Sequence, residues 1–312
     1  MKTMAIVNPA SANGRTGKLW PSLQMKLEAA IGSFDFEFTE KQKPASVIAS
    51  SALKHGFERL VSVGGDGTLS ETVNGYFAND KPVNPKAVLA FIMHGTGGDF
   101  KKTFDMRGNY DTDILRLMDN NIRPVDIGKI TSTNAAQKKA TRYFINIASF
   151  GMGGQIVENM NHIKFLKLFG GKAAFYIVTL LTMLTYKNRL VQLQMNDETG
   201  EPDKIVETKI RNVAIANARF HGGGMMIAPD AQIDDGLLDV VVLGDMNFLQ
   251  TLSLSGRIYR GKHPGHPLIK TYKTKRVSVK SWYPLTIDAD GDVFGSLPAS
   301  FEVIPRALRL QV

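Results

Sequence analysis

The sequence predicts an α/β domain over residues 1–125 and a mostly antiparallel, β-rich domain over residues 126–300, with a last strand at 301–312 returning to the first domain. Three observations carry this expectation. Short apolar runs alternate with amphipathic stretches through the first domain. Polar, glycine-bearing loops follow the strand ends there. Beyond that point long β-rich runs replace the alternation.

The first strand is 4–7, an apolar run too short for a signal peptide. Further strands are expected at 34–38, 59–63 and 87–93, with amphipathic helices at 18–31, 45–55 and 68–77. Such alternation builds a parallel sheet with crossover helices, whose ligands bind at the carboxyl ends of the strands. Loops 8–17, 64–68 and 95–99 converge on that edge. In the second domain strands are expected at 143–150, 190–195, 205–217, 237–243, 276–281 and 285–289, and helices at 155–164 and 172–186. Residues 131–139 read as a polar loop, and 301–305 and 307–312 alternate as strands. There is no internal repeat.

A chain of 312 residues can fill two cores, and 43% hydrophobic with 21% charged residues is ordinary for a globular protein. The absence of cysteine excludes disulfides, thiolate metal sites and a cysteine nucleophile, and fits a cytoplasmic location. A net charge of +9 favours acidic partners: nucleic acid, nucleotides or anionic lipid surfaces. The densest basic segment, with Arg257, Arg260, Lys262, Lys270, Lys273, Lys275, Arg276 and Lys280, reads as solvated loop or as a membrane-facing surface. No aromatic-interleaved RNA motif or recognition helix accompanies it, so no nucleic-acid partner is expected. The longest apolar stretch, 173–184, carries Thr179 and Thr182 and falls short of the roughly 20 residues that span a bilayer.

The run Val61-Ser62-Val63-Gly64-Gly65-Asp66-Gly67-Thr68 sends a strand into three glycines around one aspartate, then into a helix. Glycines let backbone N–H groups approach phosphate oxygens, and the helix N-terminus adds partial positive charge. Asp66 would act there through a bound Mg²⁺ or a water, because a bare carboxylate repels phosphate. A Walker loop is excluded, since Ala12 and Leu19 stand where it needs glycine and Ser/Thr. Gly151-Met152-Gly153-Gly154-Gln155-Ile156 lacks the third glycine of a dinucleotide fingerprint. His94, His221, His263 and His266 show no zinc spacing.

Four segments together resemble the diacylglycerol kinase catalytic-domain family, the soluble bacterial lipid kinases related to sphingosine and ceramide kinases. They are Asn8-Pro9-Ala10-Ser11-Ala12, the glycine run with Glu71 and Asn74-Gly75, Gly95-Thr96-Gly97-Gly98-Asp99-Phe100, and Pro229-Asp230-Ala231-Gln232-Ile233-Asp234-Asp235-Gly236-Leu237-Leu238-Asp239. The Gly-Gly-Asp-Gly-Thr core alone is shared with NAD kinases and phosphofructokinases; the later segments favour lipid kinases. The resemblance implies an NAD kinase/diacylglycerol kinase-like nucleotide-binding domain.

It also implies roles. Asn8, Pro9, Ala10, Ser11, Ala12, Thr39, Gly64, Gly65, Asp66, Gly67, Thr68, Leu69, Ser70 and Thr96 match the positions that hold ATP. Asp66 would help organise phosphates and a catalytic magnesium. A structural Mg²⁺ would take the Gln232 and Leu237 carbonyls and the Asp235 carboxylate. The family's general base is the Glu of an Asp-Gly-Glu motif; here the motif is Asp290-Gly291-Asp292, so Asp292 carries that role on a shorter arm. A second departure is Gly98, where relatives carry Asn.

The implied reaction moves the γ-phosphoryl group of ATP to a lipid hydroxyl, diacylglycerol first, with 165–184 and the second-domain strands offering an acyl-chain slot. Peripheral contact with an anionic membrane and a homodimer are implied as well. Two other readings stand beside it: a soluble-substrate kinase of the NAD-kinase type, and a non-catalytic lipid- or nucleotide-binding relative.

Overall fold

The computed structural model describes residues 1–95, 97–106, 108–119, 121–133, 139–162, 171–196 and 204–312. Two units are distinguished, Met1–Ile127 with Pro305–Val312, and Gly128–Ile304.

The first unit runs β1 (Thr3–Val7), α1 (Arg15–Ile31), β2 (Asp35–Phe38), α2 (Ala45–Lys54), β3 (Arg59–Gly64), α3 (Asp66–Gly75), a short hairpin of β4 (Phe77–Ala78) and β5 (Lys81–Pro82), β6 (Val88–Met93), α4 (Asp99–Lys102) and α5 (Tyr110–Arg116). β1 pairs in parallel with β2 on one side and β3 on the other, and β6 extends the sheet beyond β3. Arg309 and Leu310 add a parallel edge beside β6. β3 and β6 are buried along their whole length, which explains their unbroken apolar character in a sheet covered on both faces. Trp20, Leu23 and Leu27 of α1 and Ile114 of α5 meet Val7, Val63 and Ile92 on one face. On the other face α2 and α3 pack together and against β1 and β3. Gly75 permits that approach: a Cβ there would stand 2.7 Å from Ala49 Cβ and run into the Ser46 carbonyl oxygen.

The second unit begins within β7 (Ile122–Thr133) and continues through β8 (Lys139–Phe144), β9 (Ile147–Gly151), α6 (Met152–His162), α7 (Gly171–Thr185), β10 (Arg189–Asn196), β11 (Lys204–Ile210) and β12 (Asn212–Ala216). After it come a hairpin of β13 (Phe220–His221) and β14 (Met225–Met226), then β15 (Leu238–Leu243), α8 (Phe248–Tyr259), β16 (Ile269–Thr274), β17 (Arg276–Ser281), β18 (Thr286–Ala289), β19 (Asp292–Ser296) and the start of β20 (Ala299–Gln311). One antiparallel sheet has the order β16-β15-β12-β9-β18-β19; in the other, β11-β10-β17 continues to residues 299–302 of β20. Their facing residues form one core, in which Phe150 stacks on Phe301 at 5.9 Å. α8 covers the outer face of β12 and β15 through Leu254 and Ile258. Among the described residues no helix is long and apolar enough to cross a membrane.

Several sequence expectations are corrected here. Residues 143–150 are not one strand. The chain turns between β8 and β9, where the Asp290 carboxylate accepts from Ile145, Asn146 and Ile147 N–H at 3.0–3.1 Å. Residues 205–217 break at Arg211, which binds the carbonyls of Met183 and Tyr186. Residues 301–311 belong to a single strand, and Val312 lies beyond its end. The stretch 131–139 is polar yet β7 runs to Thr133 and β8 begins at Lys139; 134–138 lie outside the described residues. α5 and α8 went unpredicted, although Asn247 and Gln250 form a capping box at the start of α8 that was readable in the sequence.

Candidate active site

In the first unit the strand order turns at β1: β2 lies on one side of it and β3 on the other. Open α/β sheets bind ligands outside the carboxyl ends of the strands at such a point. Asn8 leaves β1 there, and Gly65 leaves β3. Asn8 N donates to Val63 O at 2.9 Å, its side-chain amide donates to Thr68 Oγ1 at 3.0 Å, and its Oδ1 accepts from Ala10 N at 3.1 Å. One side chain thus joins the end of β1 to the start of α3.

Beyond Pro9 the loop turns through three left-handed residues, Ala12, Asn13 and Gly14, at φ 53°, 57° and 81°. Ser11 Oγ meets Thr16 Oγ1 at 2.5 Å, and Thr16 Oγ1 meets His94 Nδ1 at 2.7 Å. His94 follows β6, so a hydroxyl–imidazole chain crosses the edge where the loops converge. Burial and Arg15 lower the His94 pKa, favouring the neutral ring. Thr39 N donates to Val7 O at 2.8 Å, which sets Thr39 beside the end of β1.

Asp66 ties two glycine loops together. Its Oδ2 accepts from Gly98 N at 2.8 Å and its Oδ1 from Phe100 N at 3.2 Å. The loops approach backbone to backbone: a Cβ on Gly95 would lie 2.8 Å from Gly65 Cα, and one on Gly97 would lie 2.9 Å from Asp66 Oδ2. Burial, then Asp99, raises the Asp66 pKa against the pull of these N–H groups. Each carboxylate oxygen retains a lone pair for a cation or water.

The other expected nucleotide residues divide by exposure. Gly65 and Asp66 are partly exposed and Gly67 is exposed, at a helix start whose first N–H groups have no helical partner. The side chains of Thr68, Leu69 and Ser70 are buried in α3. Glu71 does not face this edge; its Oε2 accepts from Ala45 N at 3.0 Å at the start of α2. Thr96 lies outside the described residues.

In the second unit Asp290 and Gly291, at φ 52° and 91°, turn the chain from β18 into β19. Asp292 opens β19, and its carboxylate pairs with Arg142 Nη2 of β8 at 3.2 Å. Asp288 is wholly buried beneath the turn. It accepts from Gly291 N at 3.2 Å and from Ser149 Oγ. Burial raises its pKa, and the charge of His221 opposes that rise. Sequence reading missed Arg142 and His221 as neighbours of this turn, because residues far apart in the chain meet only once the sheet is formed.

Around the expected structural ion, Gly236 turns at φ 75°, Asp235 Oδ1 accepts from Leu237 N at 3.0 Å, and Asp235 Oδ2 pairs with Lys273 Nζ at 2.9 Å. Lys273 also stands 3.5 Å from Asp239, whose carboxyl is pushed up to about 6 by burial. No cluster of three or more His, Asp or Glu side chains suited to a metal occurs among the described residues. An ion here would rest on main-chain carbonyls and on Asp235 Oδ1. Two carbonyls and one carboxylate oxygen form a hard donor set that suits Mg²⁺.

The expected acyl-chain slot is only partly described, since 163–170 fall outside the described residues. In the described part of α7, Tyr176, Ile177, Leu180, Leu181 and Leu184 are exposed.

The strand order, the paired glycine loops and the β-sandwich define the fold that diacylglycerol kinase-like proteins share with NAD kinases. Residues 2–130 match the Diacylglycerol kinase catalytic domain and residues 146–312 the YegS C-terminal NAD kinase beta sandwich-like domain. A Staphylococcus carnosus (strain TM300) protein named diacylglycerol kinase is 30% identical over 301 residues, 95% of this chain and 90% of its own. A crystal structure of a candidate diacylglycerol kinase from Bacillus anthracis str. Sterne superposes with a TM-score of 0.78 at 22% identity, covering 99% of this chain and 94% of that one. Yeast NADH kinase shares the fold at TM-score 0.54 and 11% identity, over 99% of this chain and 82% of its own. The chain belongs to the diacylglycerol kinase family of lipid kinases.

Proposed function

We propose that this protein transfers the γ-phosphoryl group of ATP to the hydroxyl of diacylglycerol, giving phosphatidic acid. The observation that carries the reading is the Asp66 tie between two glycine loops at the point where the strand order turns. A triphosphate needs closely approaching N–H groups there, and glycines allow them. In this reading Asn8, Pro9, Ala10, Ser11, Ala12, Thr39 and Thr96 frame the nucleotide with the Gly64–Ser70 segment. Asn8 and Asp66 hold that frame open before ATP arrives.

The acceptor hydroxyl oxygen forms a bond to the γ-phosphorus as the bond to the β–γ bridging oxygen breaks. ADP leaves with that electron pair, and the hydroxyl proton passes to the Asp292 carboxylate. Arg142 orients the Asp292 carboxylate, and Asp290 holds the turn by accepting three backbone N–H groups. Bound Mg²⁺ would supply charge neutralisation on the phosphates, and at Asp235 it would brace the acidic turn. Asn8 and Asp66 organise N–H groups around the transferring group, where preorganised donors contribute most to rate.

The outward apolar face of α7 and the +9 net charge suit a cytoplasmic enzyme working at an anionic bilayer. The test is incubation with γ-labelled ATP and fractionated total lipid, with NAD in a parallel reaction. Labelled phosphatidic acid is the expected product. Label on NAD and on no lipid would overturn the reading, as would ATP binding with no transfer to any fraction.

A further inference from the structure

β17 ends at Ser281, paired with Val191 of β10, and the chain leaves through Trp282, Tyr283 and Pro284 to reach β18. Trp282 is 90% exposed and Tyr283 49%. The chain has two tryptophans. Trp20 is 3% exposed among Phe34, Phe36 and Phe38, as a large apolar ring ordinarily is. Trp282 stands instead at the rim of a cavity of about 380 Å³ that Leu190, Val191 and Pro298 also line. The ring borders this recess and yet stays almost wholly open to solvent.

Cations frame this loop. The Arg189 guanidinium lies over the Tyr283 ring, 4.2 Å from its centroid. Lys280 and Lys187 are exposed on the strand before the loop and on the approach to β10. Glu207 of β11 is the only acid on the cavity wall among the described residues. Asp245 is engaged by Asn188 and Lys209.

Tryptophan and tyrosine with an apolar body and a polar edge concentrate where hydrocarbon meets lipid headgroups. Lys and Arg beside them meet lipid phosphates. A second copy of this chain is the poorer partner, because each copy carries a net charge of +9 and the patch itself is cationic. We propose that the Trp282–Tyr283 loop is a membrane-docking element. Its rings enter the headgroup region of an anionic bilayer while Arg189 and Lys280 contact lipid phosphates. The choice of a bilayer rests on the lipid-kinase reading, so the test measures binding and turnover separately.

The full chain and its Trp282→Ala and Arg189→Gln/Lys280→Gln variants are sedimented with vesicles of phosphatidylglycerol and phosphatidylcholine, and with phosphatidylcholine alone. Trp282→Ala is expected to weaken binding to the mixed vesicles at least about fivefold with Tm unchanged. The double charge variant should lose binding to the anionic vesicles and behave as wild type on phosphatidylcholine. Brominated lipid should quench the wild-type fluorescence but not that of Trp282→Ala, in which only the buried Trp20 remains. Equal vesicle binding or equal quenching in the two proteins overturns the proposal. So does a lipid-free dimer that Trp282→Ala dissociates, which would make the loop a self-association surface. Lipid phosphorylation with unaltered Trp282→Ala binding sinks the docking loop alone. Weakened binding with no phosphorylated lipid from any fraction sinks the kinase reading alone.

Discussion

Replacing Asp66 by asparagine separates a tie between loops from a direct part in the chemistry. The carboxylate accepts from Gly98 N at 2.8 Å and from Phe100 N at 3.2 Å. Asparagine keeps one acceptor oxygen and turns an NH₂ toward the other backbone N–H. One charge-assisted bond is lost, worth about 1.5–3 kcal/mol, and a buried donor left facing a donor costs about 1–3 kcal/mol more. Against this, burial and Asp99 hold the Asp66 carboxyl above its ordinary range, so removing the charge returns part of the desolvation cost. The balance is a loss of about 2–3 kcal/mol, or roughly 4–12 °C in Tm.

The same raised pKa gives a pH signature. The folded chain keeps this proton to a higher pH than the unfolded chain does. The group's contribution to stability therefore falls as pH rises from the usual aspartate range through the raised folded value. Asp66→Asn removes that slope. Thermal denaturation across pH, amide hydrogen exchange at Gly98 and Phe100, and ATP-dependent turnover can be read on one preparation. Turnover should fall at least about a hundredfold, with faster exchange at both amides. Lost turnover with Tm and exchange unchanged would refute the tie and give Asp66 a direct role.

Gly75→Ala should lower stability by about 1–3 kcal/mol through the clash with α2, read as a lower denaturation midpoint at unchanged m. Asp292→Asn should cut lipid phosphorylation at least about a hundredfold, while loss of the exposed pair with Arg142 moves stability by less than about 1 kcal/mol. Near-normal rates would remove Asp292 as the base. Asp235→Ala leaves Lys273 without its nearest carboxylate and Leu237 N without its acceptor, so Tm should fall. Wild-type Tm should rise with Mg²⁺ and drop with chelator, and the variant should lose that response.

Local signals in the chain were enough to reveal the fold class and the family. Period-two and period-3.6 patterning separated the α/β region from the β-rich one, because each pattern follows from burying one face of a local element. The Gly64–Gly67 run announced its strand-to-helix turn for the same reason: only glycine tolerates backbone approach as close as that of Gly95 to Gly65.

What the sequence left open depends on contacts between distant residues. It suggested that Asp66 acts on phosphate or metal; it gave no sign that both carboxylate oxygens also hold the loop at Gly98 and Phe100. Glu71 carried weight as a motif residue, and tertiary structure makes it a cap for α2. The break within 143–150 had no local cause, since the carboxylate that bends it lies at Asp290. Arg142 and Asp292 are a pair only because β8 and β19 bring them together. Local order is set by the preferences of neighbouring residues. The partner of a charge is set by which strands come to lie side by side, and that is decided only when the whole core closes.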